Sequence, residues 1–287
     1  MKEIIIKIND ELFGKSIKEI LKKELDISNK LLTKLKTYED GVTLNGHKEY
    51  VTKIPNKDDI LKIKIYDENS KKIPPSDIPL DIIFEDEDIL VVNKPRNMPT
   101  HPSYNHYTDT LANGVMNYYK NTNFTFRVIT RLDRDTSGIV VIAKNKFSAE
   151  KLSSQMQKKT IKKEYYAICE GTPKNKSGVI DAPIKRVDGS SILREVNNEG
   201  KSALTKYQVI KEKDGYFLVK LLPKTGRTHQ LRVHLSYLGT PIKGDSLYGS
   251  LVKDMSTLLH CKKIILNHPI TDELLEFEAP IPLDMSL

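Results

Sequence analysis

The sequence predicts an α+β protein with two unequal domains. In the larger part of the chain, strand-like runs outnumber helical ones and are separated by Gly or Pro turns, which favours a mixed, mainly antiparallel sheet over a doubly wound one. Residues 67–80 (DENSKKIPPSDIPL) are polar and rich in proline, which is typical of a linker. We therefore expect a small αβ domain over residues 1–66, a linker over residues 67–80 and a larger domain over residues 81–287.

Composition narrows the class of protein. The 287-residue chain has a formal net charge of +8, which favours a polyanionic partner, most often nucleic acid, although a lysine-rich composition alone would give the same surplus. Its two cysteines, Cys169 and Cys261, form no C-x-x-C pair, which argues against a disulfide or zinc framework and for a reducing cytosol. No stretch approaches the ~18 apolar residues of a membrane span. We expect a cytoplasmic monomer that does not associate with membranes.

The small domain is predicted to contain two short helices followed by a strand pair. Ser16 and Ser28 are each followed by apolar residues at helical spacing and can cap the helices. VTLNG and DDILKIKIY read as strands. The stretches SNKLLTKLKTYEDGVTLNG and KIPNKDDILKI resemble the small RNA-binding module named after a small-subunit ribosomal protein. Lys30 and Lys34 would then face RNA, or they are solvated surface.

A dense charged stretch, TRLDRDTSG (residues 130–138), is the first candidate site. Its acidic residues begin a calcium-loop pattern, but position 12 is Lys144 where a bidentate glutamate is needed. A phosphotransfer motif, D-x-D-x-T, does not fit either, because the threonine directly follows the second aspartate. Since Asp, Thr, Ser and Gly all favour turns, a purely structural turn remains open.

Catalysis is the other interpretation of this stretch. Arg131 and Arg134 flank Asp133 in sequence, and a neighbouring guanidinium favours the ionised form of a carboxyl group. An ionised, positioned carboxylate can serve as a nucleophile or a general base. The sequence alone leaves the turn and the catalytic interpretation both open.

A second basic stretch, TGRTHQLRVHLSYLGTPIKGDSLYG (residues 225–249), predicts a turn followed by a helix. Arg227 and His229 flank the predicted helix start, where free amides favour an anion. Arg232 lies one turn further on, so this region can hold phosphates or pair with Asp133. His229 and His234 are five residues apart, which is poor spacing for one metal ion on a helix, and we interpret them as hydrogen-bonding or packing residues.

Five segments, in chain order, resemble the motifs of the RluA-type pseudouridine synthases, which isomerise uridine in structured RNA. They are FEDEDILVVNKPRNMPTHPS, TRLDRDTSGIVVIAKN, KKEYYAICEG, TGRTHQLRVHLSYLGTPIKGDSLYG and LNHPITDELLEFEAPIP. The resemblance covers nearly the whole chain. It implies the pseudouridine synthase catalytic fold and a reaction that breaks the N1–C1′ bond and rejoins the base through C5, with no cofactor and no metal.

The resemblance also implies roles for individual residues. Asp133 would be the catalytic aspartate, which attacks C1′ or removes the C2′ proton. Arg131 would hold the RNA with the target base extruded, Tyr165 would pack against the uracil and could take part in removing the C5 proton, and Arg232 would pair with Asp133. With Arg227 at the helix start, Arg131, Tyr165 and Arg232 form the expected substrate-binding set. Arg134 has no expected role.

The sequence departs from the family pattern at two places. Thr130 stands where the family often has His, and Arg96-Asn97 follow Lys94-Pro95 where Ala-Gly is common. Neither position carries the covalent step, so the departures bear on substrate tuning. We expect large-subunit ribosomal RNA as the substrate, with transfer RNA as the alternative within the same class. A non-catalytic RNA-binding or ribosome-assembly protein on the same fold is the alternative outside it.

Overall fold

The amino-terminal part of the computed structural model, which describes residues 1–67 and 73–287, contains one four-stranded antiparallel sheet and two short helices. The elements are β1 (Lys2–Lys7), α1 (Ile17–Glu19) continued by a π-helical turn (Ile20–Glu24), α2 (Asn29–Leu35), β2 (Val42–Leu44), β3 (His47–Lys48) and β4 (Ile60–Ile65). The strand order is β1-β4-β2-β3. Ser16 and Ser28 cap the two helices, since their side chains accept from the backbone amides of Glu19 and Leu31.

The rest of the chain is built on one large sheet. Its strands are β5 (Ile82–Glu85), β6 (Ile89–Lys94), β7 (Ser137–Ala143), β8 (Lys162–Glu170), β9 (Ser177–Asp181), β12 (Leu204–Lys213), β13 (Tyr216–Pro223), β14 (Leu259–Asn267) and β15 (Leu274–Glu278). A separate hairpin joins β10 (Ile184–Arg186) to β11 (Arg194–Val196). The helices are α3 (Leu111–Tyr118), α4 (Lys146–Gln157) and α5 (Gln230–Tyr237).

The large sheet has the order β5-β6-β7-β14-β8-β13-β12-β9, with β15 paired to β14. Every pairing among the described strands is antiparallel except that of β14 with β7. The predicted α+β class with a mixed, mainly antiparallel sheet is therefore confirmed. No helix among residues 1–67 and 73–287 is long and apolar enough to cross a membrane.

The parallel contact between β7 and β14 requires a glycine. Gly138 has φ +109°, and a Cβ built on it would lie 2.3 Å from the carbonyl oxygen of Cys261. No side chain fits there, because both the left-handed backbone and the neighbouring strand exclude it. The glycine thus lets β7 begin directly beside β14, at the end of the candidate TRLDRDTSG stretch.

The two parts of the chain are joined by buried contacts. Phe147, on α4 of the larger domain, is 3% exposed and belongs to the hydrophobic core of the smaller one. Asp67 accepts from Arg127 at 2.8 Å, and Lys2 donates to Asp88 at 2.8 Å. The amino-terminal domain therefore packs against the larger domain through both apolar and charged groups.

Part of the expected linker, residues 67–80, also packs on the larger domain. Asn113 on α3 donates to the carbonyl oxygen of Pro74 at 2.7 Å, and Ile73 and Leu80 pack against the larger core. Residues 68–72 lie outside the described residues. The described part of the linker is thus fixed by contacts.

Candidate active site

Asp133 lies in a tight turn just before β7. The backbone amide of Thr136 donates to the carbonyl oxygen of Asp133 at 3.2 Å, which closes the turn with Arg134 and Asp135 at its centre. The hydroxyl of Thr100 donates to the carbonyl oxygen of Leu132 at 2.8 Å. These hydrogen bonds hold the backbone on both sides of the Asp133 carboxylate, which is one-third exposed.

The arginines beside Asp133 in sequence do not form ion pairs with it. Arg134 donates through Nε to Asp135 at 2.9 Å. Arg131 is exposed and forms no ion pair with the residues that the structure describes. The sequence placed two guanidinium groups beside the carboxylate, but the turn directs one towards its neighbour and the other into solvent.

A cleft of about 720 Å³ opens beside this turn. Its lining brings together residues distant in sequence, among them Asp133, Ile192, His229, Arg232, Asp245 and Asp254. A cleft of this size is typical of small-ligand sites. Of the expected substrate-binding residues, Arg232 lines it, whereas Arg131, Tyr165 and Arg227 are not among its lining residues.

His229 faces Asp133 across the cleft. Its Nε2 lies 4.0 Å from Oδ2 of Asp133, and its Nδ1 lies 2.7 Å from the hydroxyl oxygen of Tyr248. Burial lowers the pKa of His229, and the nearby Asp133 carboxylate opposes that shift. Among the described residues, this neutral imidazole is the group within ion-pairing distance of Asp133.

Arg232 pairs with Asp245, not with Asp133, so the expected Arg232–Asp133 pair is wrong. Its Nε and Nη2 each donate to a different oxygen of Asp245 at 2.7 Å. The side chain of Asp245 is fully buried, and a buried carboxylate needs such a bidentate partner. The guanidinium also lies over the ring of Tyr248, 5.0 Å from its centroid.

Lys94, at the end of β6, is hydrogen-bonded to the backbone of the Asp133 turn. Its Nζ is buried and donates to the carbonyl oxygens of Pro95, Met98 and Arg134 at 2.8, 2.8 and 3.1 Å. Three acceptors match the three N–H bonds of an ammonium group. Burial lowers the pKa of Lys94 to about 7, and the carboxylates of Asp135 and Asp133 oppose the shift.

We expect Lys94→Met to remove a pH dependence of stability. The folded-state pKa of about 7 lies below the ordinary value of 10.5, so between these values the unfolded chain holds a proton that the folded chain lacks. The free energy of unfolding should therefore rise with pH across that window in the wild type and rise less in the variant. Denaturant unfolding at about pH 6.5 and about pH 9.5 measures this slope.

The matched control is Lys120→Met, at an exposed lysine on the same domain. It should keep the wild-type slope. An unchanged slope in Lys94→Met would contradict the assignment to Lys94.

Tyr165 lies on β8 and is not among the residues that line the cleft. It pairs with Cys261 on β14 and Leu221 on β13, and it is 8% exposed. Burial raises the pKa of Tyr165 well above its ordinary value, and the Cys261 thiol and the Asp133 carboxylate raise it further. A phenol that stays protonated is a poor base, so these surroundings favour a stacking role over proton removal.

Arg227 is exposed at the start of α5. It donates through Nε to the carbonyl oxygen of Ser202 at 3.0 Å, and its backbone amide donates to the side chain of Gln230. Its guanidinium thus lies at the surface beside β12, outside the cleft lining.

The two departures from the family pattern have simple structural explanations. Asn97 has φ 61°, a left-handed conformation that glycine adopts freely and asparagine tolerates; its side chain accepts from Ser256 at 2.9 Å. Arg96 pairs with Asp284 near the carboxyl terminus. Thr130 accepts from the amide of Val141 at 2.9 Å and so ties the motif to β7.

One group in the described part of the chain has the spacing of metal ligands: Asp86, Asp88 and His268. The Asp88 carboxylate accepts from Lys2, Asn145 and Ser148. Asp86 accepts from two backbone amides and, at 3.0 Å, contacts Nε2 of His268. Because these oxygens already accept hydrogen bonds, we interpret the group as a structural network.

Comparison with known proteins places this site in a family. Residues 88–237 match the family model described as RNA pseudouridylate synthase. The Bacillus subtilis proteins YjbO and YhcT, both named as uncharacterized RNA pseudouridine synthases, are 39% and 38% identical to the chain. The alignments cover 92% and 98% of this chain and 94% of each relative.

Two further relatives are similar over most of their length. The ribosomal large subunit pseudouridine synthase D of Vibrio cholerae is 34% identical, over 86% of this chain and 82% of its own. The solved structure of human RNA pseudouridylate synthase domain containing 1 is 29% identical, with a TM-score of 0.61, over 72% of this chain and 85% of its own.

The fold and these matches define an RNA-modifying isomerase. The chain belongs to the RluA-type family of RNA pseudouridine synthases. The enzyme class and fold implied by the five motifs are thereby confirmed.

Proposed function

We propose that this enzyme isomerises uridines of large-subunit ribosomal RNA, with Asp133 as the catalytic residue and with the target base flipped into the cleft. The substrate proposal is supported by relatives named as ribosomal large subunit pseudouridine synthases. The net charge of +8 suits a polyanionic substrate.

One observation supports the role of Asp133: among the residues that the structure describes, it is the partly buried cleft carboxylate with no Lys or Arg within ion-pairing distance. Asp245 is bound by Arg232, and Asp135 is bound by Arg134. Asp254 is exposed. Asp133 instead faces a neutral imidazole, so no ion pair occupies the oxygens that would act on the ribose.

The chemistry then follows from the reaction. The N1–C1′ bond breaks, the uracil turns, a C5–C1′ bond forms, and the C5 proton is lost while N1 gains one. Asp133 acts on the ribose, either at C1′ as a nucleophile or at C2′ as a base, and both steps need the ionised carboxylate. Because each atom lost is regained, the reaction has no net change in mass and needs no redox partner.

Base flipping places the uridine within reach of Asp133. Extruding a stacked base costs a few kcal/mol, and stacking on an aromatic ring returns about 1–3 kcal/mol. The stacking role of Tyr165 rests on the resemblance of KKEYYAICEG to the tyrosine motif of the family. Exposed Arg131 and Arg227 are available for phosphates.

Mapping pseudouridines in cellular RNA with and without the gene tests this proposal. We expect specific pseudouridines of large-subunit ribosomal RNA to disappear and to return with the wild-type gene. Loss confined to transfer RNA would contradict the ribosomal substrate. If no pseudouridine changes in any RNA, the proposed activity is wrong.

We further propose that residues 1–66 form an RNA-binding domain. Deleting them should weaken RNA binding and leave residues 67–287 folded, because the larger domain has its own core. The truncated chain should nevertheless melt at a lower temperature, since Phe147 becomes exposed and Asp88 loses Lys2. Filter binding and thermal unfolding measure the two effects.

Phe147→Ser in the truncated chain is the matched comparison, because it removes the newly exposed ring. It should improve solubility without restoring RNA affinity. Loss of a cooperative melt in both truncated proteins would show that the larger domain does not fold alone.

A further inference from the structure

His229 is held in an unusual backbone conformation at the first turn of α5. Its φ and ψ are 56° and 18°, in the left-handed region, and its side chain does not cap the helix. Ser, Thr, Asp or Asn normally occupies such a position and caps the first turn. Non-glycine residues adopt this conformation where the surroundings impose it, often at functional sites. Here it directs the ring towards Asp133.

The two ring nitrogens of His229 have different partners. Nδ1 lies 2.7 Å from the hydroxyl oxygen of Tyr248, and Nε2 lies 4.0 Å from Oδ2 of Asp133. The backbone amide of Arg194, on β11, donates to that same hydroxyl oxygen at 3.1 Å. The ring is mostly buried, with its side chain 12% exposed. A continuous series of polar contacts therefore runs from β11 to the Asp133 turn.

These contacts favour one tautomer of His229. The Tyr248 oxygen accepts from the Arg194 amide, and its O–H can donate to Nδ1, which lies 2.7 Å away. A neutral imidazole with an accepting Nδ1 carries its hydrogen on Nε2. In this tautomer the N–H bond is on the side of the ring that faces Asp133.

Burial is the main cause that keeps the imidazole neutral. Burial lowers the pKa of His229; Arg232 and Arg194 lower it further, and Asp133 and Asp245 oppose them. Burial likewise raises the pKa of Tyr248, so its hydroxyl keeps its proton. Because Arg232 is paired with Asp245, the group within ion-pairing distance of Asp133 is the imidazole of His229.

We propose that His229 is the positioning residue for Asp133: its Nε2–H donates to Oδ2 and orients the other oxygen towards the ribose, while Tyr248 fixes the tautomer. The inference rests on the proposed role of Asp133. The gap of 4.0 Å closes when RNA fills the cleft, as catalytic hydrogen bonds commonly shorten in the substrate complex. A neutral donor orients the carboxylate without placing a cation beside it.

Comparing His229→Gln with His229→Ala tests the role of the Nε2–H bond. Glutamine places an N–H donor near the Nε2 position, and alanine provides none. We expect kcat for pseudouridine formation to fall about 10- to 100-fold in the alanine variant, as for loss of a hydrogen bond to a charged group. The glutamine variant should recover most of that loss, with KM for RNA little changed in either. Equal losses in the two variants would overturn the proposal.

The pH profile separates positioning from packing. Protonation turns His229 into a cation that binds Asp133, so the acidic limb of the wild-type kcat profile should include His229. In His229→Gln, that limb should move to lower pH, because glutamine does not titrate. His234→Gln, on the same helix but bonded to Thr205 and Ala182, should keep the wild-type limb. An unmoved limb in His229→Gln would contradict the proposal.

Tyr248→Phe tests the tautomer. It should lower kcat in the wild-type background and have no further effect in His229→Gln, since glutamine has no tautomer to fix.

Imidazole nitrogen chemical shifts of the wild-type protein give a readout that needs no activity. They should report hydrogen on Nε2 of His229, and hydrogen on Nδ1 would overturn the proposal. Activity that survives Asp133→Asn would instead refute the proposed function.

Discussion

Asp133→Asn should abolish pseudouridine formation, with kcat/KM reduced by about a thousandfold or more, as when an acting nucleophile or base is removed. The amide keeps the shape of the side chain but carries no negative charge and cannot attack or deprotonate the ribose. RNA affinity should stay within about threefold, well under the tenfold that 1.4 kcal/mol represents. Single-turnover assays on RNA and filter binding separate the two quantities.

Two aspartates control this experiment. Asp188 is exposed on the hairpin between β10 and β11, and Asp188→Asn should retain full activity. Asp135→Asn keeps a turn-forming residue but loses the pair with Arg134, so it should lower activity far less than Asp133→Asn. If Asp133→Asn forms pseudouridine at more than about one-tenth of the wild-type rate, which is under 1.4 kcal/mol of transition-state stabilisation, the proposed role is wrong.

Local features of the fold could be predicted from the sequence. Both serine caps are found where the apolar spacing placed them, because a cap depends on residues within one turn. The strands VTLNG and DDILKIKIY correspond to β2 and β4. The first strand, β1, was not predicted, although exposed and half-buried residues alternate along it.

Contacts between distant segments could not be predicted in the same way. Phe147 on α4 lies in the core of the amino-terminal domain, and a single phenylalanine in an amphipathic helix does not indicate which core it joins. Nothing in the sequence around Lys94 except the following proline indicates that this lysine is buried. In the structure its Nζ donates hydrogen bonds to three backbone carbonyl groups. Burial of this kind depends on how strands β6 and β7 pair, which no local pattern encodes.

The candidate site was predicted in part. Asp133 and Arg232 do line one cleft, as the two basic stretches suggested. The sequence pattern indicates only packing or hydrogen bonding for His229 and gives no role to Asp245 or Tyr248. A signal was available: Asp245 and Tyr248 lie in the same motif as Arg232, and a buried arginine requires a carboxylate partner.

The Arg232–Asp245 pair supports the second large prediction, because it is both buried and bidentate. Asp245→Ala removes one partner and leaves the guanidinium uncompensated among buried groups. Breaking such a pair costs about 3–5 kcal/mol of unfolding free energy. For a domain of this size each kcal/mol shifts the melting temperature by about 2–4 °C, so we expect a decrease of about 10 °C. Denaturant unfolding gives the free energy directly.

The double variant Arg232→Met with Asp245→Leu distinguishes a broken ion pair from loss of packing. It removes both charges and keeps side-chain volume, so it should recover much of the stability that Asp245→Ala loses, as replacement of buried ion pairs by apolar residues often does. The exposed Asp188→Ala should leave the midpoint unchanged.

A cost below about 1 kcal/mol for Asp245→Ala would mean that Arg232 pairs with another carboxylate. Asp133 already contributes to the raised pKa of Arg232, so that carboxylate would be Asp133. Arg232 would then form the pair with Asp133 that the sequence led us to expect. Because this pair places a cation on Asp133, activity should fall while stability is maintained.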